Sequence, residues 1–177
     1  MKNLILLFTL CLFTSCNNTA VKSATSFLNP EPANFQMVEI DNSGEPDGPH
    51  TSSEWKIWAY STAAPSYIAS KCTVIDVDGS VLREGSNGWT AMAANPRGMS
   101  DPENGWKDAH EAMAMVGDGP AMKWAMAYMG GSVPEMNSDG WAWMLHGDMG
   151  EDNTKHLVFN KEDAVEGQWI ESGAHLM

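Results

Sequence analysis

The sequence predicts an α+β fold: a small antiparallel sheet with two or three short helices, preceded by a signal peptide and a flexible tether. Two groups of strand-like segments flank a helical stretch, an order that suits α+β domains rather than alternating βα units. Asp78-Gly79 and Gly119-Pro120 punctuate these segments with a hairpin signal and a helix-start signal. The 177 residues are 43 % hydrophobic, enough for one core and too much for a disordered chain.

The elements follow in chain order. Lys2 and the uncharged apolar run 4–13 (LILLFTLCLF) read as a secretory leader. The run is too short to cross a membrane, which takes about 20 apolar residues. It meets Phe13-Thr14-Ser15-Cys16, small residues before a cysteine, as at sites of bacterial lipid attachment, with Phe13 where leucine is usual. Cleavage after residue 15 and acylation of Cys16 are therefore expected, with the lipid as the only membrane attachment. Asn17, and not Asp, after Cys16 favours the outer membrane of the cell envelope. Residues 16–53 form the tether, rich in Asn, Ser, Thr, Pro, Gly and acids. Only 35–40 (FQMVEI) alternates as an edge strand would.

The body is 54–177. Trp55, Ile57, Trp58 and Tyr60 begin it, and Pro65 suits the start of a short helix. Residues 72–77 (CTVIDV) and 80–84 (SVLRE) flank the Asp78-Gly79 turn as a hairpin. A third strand, 89–92, follows Ser86-Asn87-Gly88. Residues 106–116 (WKDAHEAMAMV) read as helical up to Gly117. Residues 121–129 (AMKWAMAYM) form a helix opened by Gly119-Pro120 and closed by Gly130-Gly131. Residues 141–145 alternate as a strand, and 156–159 and 174–177 are short strands. The chain stops on an apolar strand-like run, so the body is expected to be truncated at its C-terminus.

Residues 81–90 (VLREGSNGWT) resemble the VLREGxNGWT motif of a family of uncharacterised secreted bacterial proteins. The resemblance extends over roughly 63–177 through the AAP helix start, the Met- and Trp-rich helix around Trp124 and the terminal Ala174-His175-Leu176-Met177. Members often carry a cysteine where Ala91 stands, and continue past the last strand. The resemblance implies a fold and no activity, so no functional residues carry over.

Composition narrows the function. Twenty-three acidic against 10 basic side chains give a net charge of −13. That argues against nucleic acid and against charge-driven adhesion to an anionic membrane. Cys11 lies in the leader and Cys16 carries the lipid, so Cys72 has no disulfide partner. Met113, Met115, Met122, Met126 and Met129 with His110 could suit Cu(I). The i, i+4, i+7 spacing of the last three instead predicts a buried helix face. His50, His110, His146, His156 and His175 form no metal motif, and Asp41–Glu45 and Asp76–Ser80 do not complete a calcium loop. No catalytic serine elbow or phosphate loop is present.

Two features remain. Trp141 and Trp143 share a strand face, which could stack sugars or pack inward. His146 and Asp148 could join on a loop as imidazole and carboxylate. The expected function is a binding or structural module for a glycan or an envelope protein, with Trp141, Trp143, His146 and Asp148 as binding residues. No catalytic residue, metal or cofactor is assigned. The alternatives are a small hydrolase-like enzyme using His146 and Asp148, and a Met/His metal-handling lipoprotein.

Overall fold

The structure, a computed structural model, describes residues 44–152, 154–155 and 158–177. The leader, Cys16, the strand expected at 35–40 and residues 156–157 of another lie outside the described residues.

Helix α1 (Ser53–Ser61) starts where Ser52 accepts a hydrogen bond from the Trp55 amide at 3.2 Å, satisfying a first-turn donor. Its aromatics Trp55 and Tyr60 are fully buried. The short helix α2 (Ser66–Ala69) follows Pro65. Strands β1 (Thr73–Ile75) and β2 (Val81–Arg83) form the expected antiparallel hairpin, with Gly79 at φ +83° in its loop. Strand β3 (Thr90–Ala93) then pairs with β1 in parallel, so the sheet is mixed and not purely antiparallel.

The residues between β2 and β3 explain that parallel pair. The chain passes beneath the start of β1 to reach its other side. The Thr73 amide donates to the Trp89 carbonyl at 2.9 Å, and the Ser86 amide to the Lys71 carbonyl at 2.8 Å. Gly85 sits so close under this crossing that a Cβ there would lie 2.1 Å from the Thr73 nitrogen. Arg83 donates to the Ala69 and Cys72 carbonyls, and Asn87 to that of Ile68, tying the end of α2 to the crossing. The VLREGSNGWT segment is thus a structural clasp.

Strand β4 (Ala114–Gly117) lies where a helix was expected. Residues 108–112 make only a turn, Met113 takes φ +46°, and the chain then runs between β3 and β5 (Ala142–Met144). All four β4 residues are buried, and a short apolar run buried on both faces cannot be told from a buried helix by periodicity. Helix α3 (Gly119–Met129) begins at Asp118, which caps the Ala121 amide at 2.8 Å, and ends at Gly130. Two short strands, β6 (Glu151–Asp152) and β7 (Trp169–Ile170), pair apart from the main sheet. The last strand, β8 (His175–Leu176), pairs with β5 as the terminal run suggested.

The architecture is α+β: a six-stranded mixed sheet in the order β2-β1-β3-β4-β5-β8 with a few short helices. Strand alternation sends its side chains to two unlike faces. One face carries Val74, Ala91, Ala93, Ala114, Val116 and Trp143 and packs against Trp55, Ala59, Tyr60 and Trp106. Trp106 Nε1 donates to the Tyr60 hydroxyl at 2.9 Å, which satisfies both polar tips inside that core. The other face carries Met92, Met115, Ala142 and Met144 and meets α3.

Candidate functional site

The four residues expected to bind do not assemble. Trp143 packs into the first core, whereas Trp141, just before β5, is 51 % exposed. Their shared face is therefore divided between core and solvent. His146 is 4 % exposed, and its Nε2 lies 2.9 Å from the Thr62 hydroxyl. That hydroxyl donates to the Trp58 carbonyl at 2.7 Å, so it accepts from His146 Nε2–H. Among the described residues, none is a hydrogen-bond partner for the buried His146 Nδ1. Burial, followed by the neighbouring His110, holds the imidazole below its ordinary pKa and keeps it neutral. Asp148 instead accepts from the Gly150 and Ser172 amides, both at 2.9 Å, and pins two loops. The carboxylate does not orient the imidazole, so the pair is not a catalytic dyad.

A different feature stands out on the second sheet face. The expectation that Met122, Met126 and Met129 form a buried helix face is overturned: only Ala121 of that helix is buried. Trp124 is 46 % exposed, Met126 66 % and Met129 51 %. The helix covers its sheet face incompletely and leaves two concavities along its flank. One, of about 200 Å³, is lined by Met92, Met113, Met115 and Met144 on the sheet side and by Met126 and Met129 on the helix. The other, of about 240 Å³, runs past Ala121, Met136, Gly140 and Ala142. Sharing Met115, Trp124 and Met177, the two adjoin as the halves of a groove.

Local sequence explains why the groove stays open. Gly117 and Gly140 let the start of α3 approach closely; a Cβ on Gly140 would stand 2.4 Å from the Ala121 nitrogen. The helix is held near at its first turn, where Ala121 packs, while longer thioethers line the remainder. Trp124 stacks on Tyr128 with ring centroids 5.2 Å apart and planes at 11°, which stiffens the lip. Polar groups are few: Asn95, the Tyr128 hydroxyl and Glu151, whose Oε2 accepts from that hydroxyl at 3.2 Å.

Compared with known proteins, the chain matches no family model, no curated protein and no solved structure. Its chemistry must be read from the groove itself. Arg97 lies behind the lining, against Met113 and Phe159. It donates to the Phe159 carbonyl at 2.7 Å and the Gly150 carbonyl at 2.5 Å, and lies 5.8 Å from the Phe159 and Trp169 ring centroids. Its Nη1 also lies 3.5 Å from Met113 Sδ, so a guanidinium occupies the place where a thioether could otherwise meet a soft cation. Among the described residues no three His, Cys, Asp or Glu side chains converge as a metal site. A wider depression of about 510 Å³ near His50 and Trp106 is more polar, and His50, Asp101 and Asn104 in its lining are hydrogen-bonded within it. His50 donates to the Trp106 carbonyl at 2.6 Å, and Asp101 accepts from the Asn104 side chain at 2.7 Å.

Sequence reasoning missed the groove although its signal was present. Met113 and Met115 are two apart, a strand-face spacing that also fits a helix piece, and they were assigned to the helix.

Proposed function

We propose that this chain is a lipid-anchored binding module of the bacterial cell envelope, and that it binds an apolar part of an envelope component in the methionine-lined groove. One observation carries the reading: Trp124, Met126 and Met129 stay in solvent beside two adjoining apolar concavities instead of closing onto the sheet. Concave, mainly apolar sites with a few fixed polar groups are the usual form of a binding site. Thioethers on flexible stems adapt to irregular apolar shapes. The leader and Cys16 support the anchor, and the tether would hold the module clear of the membrane. A glycan is the weaker candidate for this groove, because sugars need many hydrogen bonds and the lining offers few.

The test is titration of the full chain with the neutral apolar dye N-phenyl-1-naphthylamine, read by energy transfer from tryptophan, alongside a glycan panel. Saturable dye binding is expected, weakened about tenfold by Trp124→Ala, a size typical of a buried aromatic anchor. Saturable binding of a sugar class with no dye binding would overturn the groove as the site.

A further inference from the structure

We infer that the natural occupant of the groove is a basic amphipathic helix of a partner protein. This rests on the proposal that the groove is the binding site, and it adds the chemistry of the ligand.

The shape comes first. The groove runs along the flank of α3, which has 11 residues and is therefore about 16 Å long. That matches three turns of a second helix laid beside it. Methionine side chains suit such an occupant, because a helix presents an uneven row of apolar side chains and thioethers can repack around it. The exposed Met126 and Met129 would form one wall of the trough and the sheet methionines its floor.

Charge then selects the partner. Among the described residues no Lys, Arg or His lines either concavity, whereas Glu151 lines one of them. Arg97 and Lys123 keep their charge while bonded to the Gly150, Phe159 and Glu135 carbonyls. The flanking segments carry exposed Glu135, Asp139, Glu162 and Asp163 against exposed Lys155 and Lys161. With a net charge of −13, the molecule repels a second copy of itself and an anionic lipid surface. An apolar trough with an acidic surround is complementary to a helix with an apolar stripe and flanking Lys or Arg.

The experiment uses the full chain and three synthetic 14-residue peptides, read by tryptophan fluorescence and calorimetry. One is an amphipathic Leu/Lys helix, the second its Leu/Glu counterpart, and the third a scrambled Leu/Lys sequence without an apolar face. The Leu/Lys helix is expected to bind one to one, at least about tenfold more tightly than either other peptide. A Met126→Lys/Met129→Lys double variant should weaken it about tenfold or more with an unchanged melting temperature, since both side chains are exposed. Met126→Leu/Met129→Leu should restore it.

Equal binding of the scrambled peptide would reduce the effect to bulk charge and overturn the inference. So would equal binding of the Leu/Glu helix, or a double variant that binds like the parent. A concentration-dependent dimer abolished by the double variant would assign the face to a second copy instead. If the neutral dye binds and the Leu/Lys helix does not, the inference falls while the groove remains a binding site; if neither binds, both fall.

Discussion

Burial keeps the His146 imidazole neutral in the folded protein, and this has a consequence for stability. The folded pKa is depressed, so below about pH 6.5 the unfolded chain takes up the proton that the native state refuses. Stability from this group is complete above that pH and is lost as pH falls toward the folded value. Urea midpoints should therefore hold near neutrality and decline from about pH 6.5 downward, and His146→Phe should flatten that part of the profile. Side-chain identity and spacing made His146 and Asp148 look like a pair. The intervening Gly147 takes φ +74°, and the chain turns so that one side chain goes inward to Thr62 and the other to the Ser172 amide. That separation is set by backbone conformation and by partners distant in sequence, and neither is visible in the tripeptide.

At the scale of elements, local signals worked where the chain decides its own structure. The Asp78-Gly79 hairpin and the α3 boundaries are of this kind, because turn glycines and caps act within a few residues. They failed where the sheet decides. Residues 114–117 have a helical look in the sequence, but pairing on both sides with β3 and β5 makes them a central strand. The burial of α3 was misjudged for a related reason: periodicity gives the faces of a helix, not how much of the neighbouring sheet it can reach. The parallel β1–β3 pair depends on the clasp between β2 and β3, and this can be tested. Arg83→Met removes bonds to the Ala69 and Cys72 carbonyls and should cost about 1–3 kcal/mol in urea unfolding. Gly85→Ala should destabilise more, because its Cβ would meet backbone that cannot yield without moving β1.

At the scale of the whole molecule, the two sheet faces divide the work. Small and aromatic residues fill one side and make the main core, while methionines on the other leave the open groove. The net charge of −13 is repulsive toward polyanions such as nucleic acid. The proposed anchor is tested separately. Cys16→Ser should abolish incorporation of a palmitate analogue in cells and release the protein from the membrane fraction, without changing its melting temperature.

The groove is tested most directly by ¹³C labelling of the methionine methyl groups and NMR titration of the full chain with the apolar dye. Resonances of Met92, Met115, Met126 and Met129 should shift together and saturate, while Met99, packed against the first core, stays in place. Shifts confined to Met99, or none at all in a folded protein, would contradict the assignment of the methionine face as the binding site.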